Sequence, residues 1–294
     1  GSKEEILEVT SNNKEALAND EEIYNKQAEI SRKIASLSSS QAAAKRLEAD
    51  KKLAEINSSE TSSEEELKNP DYIEAQELLS EANYLDRKAV TSEKITNDLE
   101  QNAQRSQDLQ LVSGTYSSQI ENQNDETTNN KTYDDYETRL NENLSKQNDL
   151  GDLQKEYVEA YQSKNVEARN QKAKSDAMHE EILEIEEDIE VKETKLASAK
   201  GKEKSTLEAE IATDKADLKT EREGLVIEEE KTQKLAKEVN LLKADADAIN
   251  ELISQSNSHE EIPELTRKAS YVEELTPSTY FVSSVSNDEL AQAS

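Results

Sequence analysis

The chain has 294 residues, 66 acids against 36 bases, a net charge of -30, no cysteine, no tryptophan and one phenylalanine. An acidic balance with no basic block excludes a binder of phosphate backbones, which needs clustered Lys and Arg, and disfavours an anionic membrane surface; zero cysteines removes thiol nucleophiles and Cys-ligated zinc. Leu, Ile, Val and Phe number only 56, thin for a globular core, but five glycines and three prolines barely interrupt a chain rich in helix formers, so the composition predicts long helices that each bury a single seam.

From Ile6, steps of 3 and 4 run through Val9, Asn13, Ala16, Asp20, Ile23, Gln27, Ile30, Ile34, Leu37, Gln41 and Ala44. A repeat averaging 3.5 residues draws one stripe along a supercoiling helix. It predicts a first helix over about 3–57, loosened at Ser38, Ser39 and Ser40, whose hydroxyls compete for backbone hydrogen bonds. The stretch Asn57 to Asn69 reads as a polar loop, and Asn69-Pro70 as a helix start. A second helix over about 70–122 carries the seam Ala75, Leu78, Ala82, Leu85, Ala89, Ser92, Thr96, Leu99 and Ala103, then Leu109, Val112, Tyr116 and Ile120.

The polar run Gln123 to Lys131 predicts the next turn. A third helix then starts near Tyr133 and continues to about Ala199. Its seam opens with Tyr133, Tyr136, Leu140, Leu144, Leu150, Leu153, Tyr157 and Tyr161 and continues with Met178, Ile182, Ile185, Ile189 and Leu196. Gly151 inside it is a weakness of up to about 1 kcal/mol relative to Ala. Tyr116, Tyr133 and Tyr136 flank one turn and are expected to plug that end of a bundle. Between Ala199 and Ser205 the glycine suits a helix C-terminus, and Ser205 followed by Glu208 matches a capping box. A fourth helix over about 203–256 is expected to repeat the pattern from Leu207 to Ile253. Ten of its fourteen seam positions are apolar, and the four misses are Asp214, Glu221, Glu228 and Thr232.

These lengths predict an all-α, elongated antiparallel bundle of about four long helices. The third outruns the second, so residues 185–218 are expected to project as a two-helix coiled-coil hairpin of roughly 20 Å. The division is then 1–184 with 219–257 as the bundle, 185–218 as the tip and 258–294 as a short non-helical tail. In the tail, Arg267 to Leu275 could form a short docking helix, and Pro277 to Val285 a strand or a partner-binding strip; the plain alternative is an interdomain linker. The opening Gly1-Ser2, without a methionine, reads as a cloning remnant on an excised piece of a longer protein.

The chemistry is sparse. Of two histidines, His179 has only Asp176 at the spacing used by di-iron bundles, with no second copy. His179-Glu180-Glu181 lacks the second His of a zinc-protease helix. Asp245-Ala246-Asp247 lacks the Gly and terminal Glu of a calcium loop, and there is no glycine-rich phosphate loop. No apolar run approaches the roughly 20 residues that span a bilayer. The sequence therefore predicts no catalytic residue, no cofactor and no metal, and argues against an enzyme. It also predicts no nucleic-acid partner and no direct membrane insertion, and it allows self-association.

The segment Asn69-Pro70-Asp71-Tyr72-Ile73-Glu74-Ala75-Gln76-Glu77-Leu78-Leu79-Ser80-Glu81-Ala82 resembles the first helix of a tetratricopeptide-type unit. With the Ala/Glu/Lys-rich hairpin that follows, it is similar in texture to long helical regions of large extracytoplasmic scaffold proteins of Bacteroidota. No 34-residue period repeats, and the Trp and Gly of that unit are missing. The resemblance implies assembly or envelope work, an extracytoplasmic location and protein partners. The expectation is a non-enzymatic scaffold or spacer, with an intracellular coiled-coil adaptor or oligomerisation module as the alternative. Its candidate partner contacts are Ile189, Leu196, Lys200, Lys202, Lys204 and Leu207 at the tip, and Tyr280 and Phe281 in the tail.

Overall fold

A computed structural model of the chain describes residues 2–57 and 69–257. The expected loop over 58–68 and the tail, with Tyr280 and Phe281, lie outside the described residues. Among the described residues the chain is all-α, 93% helical, with five helices and no strand. They are α1 (Lys3–Asn57), α2 (Pro70–Glu121), α3 (Glu126–Leu144), α4 (Leu150–Leu196) and α5 (Lys202–Ser256). Asn69 caps α2 as expected, its side chain accepting from the Asp71 amide at 2.9 Å. Gly201, at φ 65°, separates α4 from α5, a backbone state that costs other residues about 1–2 kcal/mol.

The helices fall into two compact units. One comprises Gly1–Ser40, Asp86–Tyr157 and α5 from Ala244; the other comprises Gln41–Leu85 and Val158–Lys243. In the first unit α1 and α2 run antiparallel, shown by Ser117 donating to Thr10, Gln110 to Glu21 and Ser31 to the Ser92 carbonyl. Two hydrophobic layers follow each other along this unit. Leu17, Leu109, Tyr136 and Leu140 close a layer from three helices, α1 to α3. Ala28, Ile34, Ile95, Leu99, Ala248, Ile249 and Leu252, with Leu150, Leu153 and Tyr157 against them, close a layer from α1, α2, α4 and α5.

In the second unit Lys45–Glu81 and Lys52–Glu74 pair α1 with α2 around Ala49, Ala75 and Leu78. Asn240 donates to the Ser80 carbonyl, and the Lys243 ammonium sits 5.4 Å from the Tyr84 ring centre, joining α5 to α2. Helices α4 and α5 are antiparallel, matched at Lys164–Glu238, Ser175–Thr232, Glu186–Arg222 and Lys192–Asp214. Their shared core is Ile182, Ile189, Leu218 and Leu225, flanked by Met178 and Ile185.

Five expectations need correction. The single third helix is two, α3 and α4, broken over residues 145–149 beside the glycine marked as weak. The break lies where the three-helix layer gives way to the four-helix layer, so the chain must shift sideways to make room for α5. Helix α3 begins at Glu126, seven residues before Tyr133, because Asp125 caps it by accepting from the Thr128 amide and hydroxyl. Ser205 lies inside α5, which already starts at Lys202, so it caps nothing. Ser38–Ser40 do not loosen α1, which is continuous through them.

The α1 seam is the fifth. Alternate members of the expected stripe do face inward, Ile6 and Ile34 among them, but Val9, Ile23 and Leu37 are 39, 51 and 56% exposed. The buried positions beside them are Thr10, Leu17, Ser31 and Ser38. Small hydroxyl side chains let α1 lie close to α2, and the hydrogen bonds of Thr10 and Ser31 remove the cost of burying those two. The α2 seam, by contrast, is buried or half-buried at every expected position.

Candidate functional site

Polar side chains are built into the apolar seams at four places, and these are the chemically distinctive parts of the molecule. The first seals the break between α3 and α4. Asn102, fully buried on α2, donates to the Asn148 carbonyl at 2.8 Å and accepts from the Asn148 amide at 3.0 Å. Arg105 donates to the Lys146 carbonyl at 2.8 Å, and Gln147 donates to Ser106. A broken helix exposes backbone donors and acceptors; one face of α2 satisfies them. Beside the break lies an open cleft of about 390 Å³ lined by Asp20, Ile23, Tyr24, Gln27, Leu144 and residues 147–150. Burial, then the charges of Asp20 and Asp149, push the Tyr24 phenol above its ordinary range.

The second joins α2 to α5. Arg87 donates to both carboxylate oxygens of Asp245, at 2.8 and 3.0 Å, and the Thr91 hydroxyl donates to the same carboxylate. Burial, then the charge of Asp245, raise the nearby Tyr157 phenol. The third is the aromatic end of the three-helix layer. The Tyr136 hydroxyl lies 2.7 Å from Ser113 and accepts from Asn13, with the Tyr116 and Tyr133 rings tilted against it at 5.5 and 6.2 Å. These tyrosines plug that layer as the sequence suggested.

The fourth lies between α4 and α5. Glu228 accepts from Gln171 at 2.6 Å and is flanked by Lys174 and Lys231, each at 3.2 Å. The Gln171 hydrogen bond, then the two ammonium groups, hold its carboxyl down at about 2. One helical turn on, Ser175 and Thr232 share a hydrogen bond of 2.8 Å. Further along, Lys192 bonds Asp214 at 2.7 Å and Arg222 bonds Glu186. Three of the four misses in the α5 repeat thus sit in polar pairings, and Glu221 is half-buried.

None of these clusters pairs a nucleophile with a poised base in an open cleft. Glu228 is held down at about 2 by Gln171, Lys174 and Lys231, which suits a fixed anion and not a group that must take up and release a proton. Among the described residues no group of His, Cys, Asp or Glu could hold a metal ion, and no helix is long and apolar enough to cross a membrane.

Of the expected partner contacts, Ile189 is 7% exposed and packed in the α4–α5 core, so its surface is already used within the chain. Leu196 and Leu207 are half-buried near the turn, while Lys200, Lys202 and Lys204 are exposed around Gly201. Sequence reasoning missed the Asn102 clamp and the Arg87–Thr91–Asp245 cluster, because isolated polar residues in a polar chain carry no pattern of their own. The one available signal, the interruption of the α5 repeat, pointed to the α4–α5 pairings instead. No protein-family model, no curated protein and no solved structure matches the chain.

Proposed function

We propose that this chain is a non-enzymatic structural element, a scaffold or spacer region that makes protein–protein contacts, presented at the α4–α5 turn. The observation that carries the reading is the width of the buried stripe on α5. From Leu207 to Leu225 it is a narrow seam one helix could cover; from Thr232 onward it widens to include Ala236, Val239, Asn240, Ala244, Asp245 and Ala246. At the offset of the Asn240–Ser80 bond, the first residue of α2 stands level with about residue 230 of α5. Below that level the interhelical bonds of α5 run to α4. The reading is a two-helix coiled-coil hairpin that stands clear of the other described helices of its unit, and the three lysines around Gly201 form a basic cap on an acidic chain. Extracytoplasmic assembly work belongs to the same proposal.

A photo-crosslinking residue at position 200 or 204, in the native host, tests this. The expected result is a discrete adduct at the turn that is absent when the crosslinker replaces Val90 on α2 and weakened by Lys202→Glu. Equal adducts from both places would remove the turn from the reading. A turnover measured with the purified chain would overturn the non-enzymatic assignment itself.

A further inference from the structure

Half of the stripe that the sequence offered as the seam of α1 is left largely outside the core, with Ile30 alone of the members below packed in part against the four-helix layer. Val9, Ala16, Ile23, Ile30 and Leu37 recur every seven residues, one heptad position repeated over 28 residues and roughly 42 Å. Val9, Ile23 and Leu37 are 39, 51 and 56% exposed, Ala16 is exposed and Ile30 half-buried. In a chain with so few large apolar residues, a sustained exposed heptad stripe on an ordered helix is an interaction face. We propose that this face pairs with the same face of a second copy, as an antiparallel two-helix seam with Ile23 on the twofold axis.

Three observations select this occupant. First, the stripe is complementary to itself in reverse. About Ile23, Val9 meets the partner's Leu37 and small Ala16 meets the partner's Ile30, so layers of moderate volume repeat without a clash, the isologous pattern of a twofold interface.

Second, the exposed flank beside the stripe is polarised. Before Ile23 it carries Glu5, Glu8, Glu15 and Glu22 and no base. After Ile23 it carries Lys26 and Lys33 with one acid, Glu29. Antiparallel pairing lays the acidic half of one copy on the basic half of the other, bringing Lys26 towards the partner's Glu22 and Lys33 towards the partner's Glu15. Parallel pairing would lay acid on acid. The lysines already point along this flank, since Lys26 and Lys33 bond Glu22 and Glu29 on their own helix.

Third, α1 is nearly balanced in charge, nine bases against eleven acids, in a chain of net charge -30. It is therefore a face on which two such chains can meet with little repulsion. The cleft beside the α3–α4 break opens at Ile23, with exposed Leu144 at its edge, and leaves room beside the central contact.

The chain has no cysteine, so single thiols report the geometry directly. In the full chain, Ile23→Cys under mild oxidation should give a disulfide-linked dimer in high yield. Leu111→Cys, exposed on α2, should give at least tenfold less. Val9→Cys alone should not crosslink, whereas Val9→Cys with Leu37→Cys should. Sedimentation equilibrium of the unmodified protein should show a monomer–dimer equilibrium that Ile23→Asp shifts at least tenfold towards monomer without loss of helix signal at 222 nm.

A monomer at every concentration would overturn the proposal, as would equal crosslinking at positions 23 and 111. Efficient crosslinking by Val9→Cys alone would mean a parallel pair and would overturn the alignment. An intramolecular disulfide between Ile23→Cys and Phe281→Cys in a monomer would mean that the chain's own tail covers the stripe, which also overturns it. None of these outcomes bears on the contact proposed at the α4–α5 turn, so the two readings fail separately.

Discussion

The Arg87–Asp245 pair makes an asymmetric prediction. The Asp245 side chain is 6% exposed and the Arg87 side chain 43%. Replacing Arg87 with alanine leaves a buried carboxylate with the Thr91 hydroxyl as its remaining described partner. Removing one member of a buried pair costs about 3–5 kcal/mol, and because Arg87 is partly in water we place this loss lower, at about 2–3 kcal/mol. Replacing Asp245 with alanine leaves an arginine that can turn to solvent, and the loss is that of charged hydrogen bonds discounted for the exposure of Arg87, about 1–2 kcal/mol. Arg87→Ala should therefore be the worse variant by about 1 kcal/mol, and the double variant should resemble Asp245→Ala instead of summing the two losses. Urea unfolding followed at 222 nm, with slopes compared so that only midpoints are interpreted, measures all three. If Asp245→Ala costs as much as Arg87→Ala, or if the losses add, the carboxylate is not the stranded partner and the argument fails.

Three further outcomes follow from the packing. Ile182→Ala, in the α4–α5 core, should cost about 2–5 kcal/mol, while Leu183→Ala one residue on, 47% exposed, should stay within about 0.5 kcal/mol; equal melting shifts would mean the α4–α5 seam is misplaced. Gly224→Ala should stabilise by up to about 1 kcal/mol, because its new methyl meets only the flexible end of Met178 at 3.2 Å, whereas Gly201→Ala should destabilise by about 1–2 kcal/mol at its positive φ; thermal melts showing the same sign for both would contradict this. Glu228 has a folded value lowered from 4.5 to about 2, so its contribution is complete above 4.5 and is lost as pH falls from there through about 2; the stability gap between wild type and Glu228→Gln should close over that window, and a gap independent of pH would refute the assignment.

Helix existence was legible because three of the four expected helices carry periods that nothing else in the composition explains, and α1, α2 and α5 begin and end within a residue or two of expectation. The α4–α5 seam was equally legible, since Ile182, Ile189, Leu218 and Leu225 are buried at the expected steps. What failed did so for one reason. On α1 two adjacent stripes share Ile6 and Ile34, and apolar counting chose the one with Val9, Ile23 and Leu37. The helix packs on Thr10, Ser31 and Ser38, small groups suited to a close approach, and Thr10 and Ser31 bond across to α2. The break at 145–149 was hidden similarly. Its backbone groups are satisfied by Asn102 and Arg105, more than forty residues away in sequence, and local propensity contains no record of them.

The same polar residues explain how such a seam keeps one register. Two long helices joined by a repeating apolar stripe can slide by a heptad and bury nearly the same area, so apolar content alone leaves the alignment degenerate. Slipping α4 against α5 by seven residues would take Asp214 from Lys192 to Ile185 or Ala199, and Thr232 from Ser175 to Ile182 or Ala168. Each move strands a polar group that is now satisfied, at about 1–3 kcal/mol apiece. The native register loses some apolar burial at Asp214, Glu228 and Thr232, but competing registers lose more. A seam built this way needs few large apolar residues, and a chain with only 56 of them can still specify where its helices stop and which residues meet at the turn.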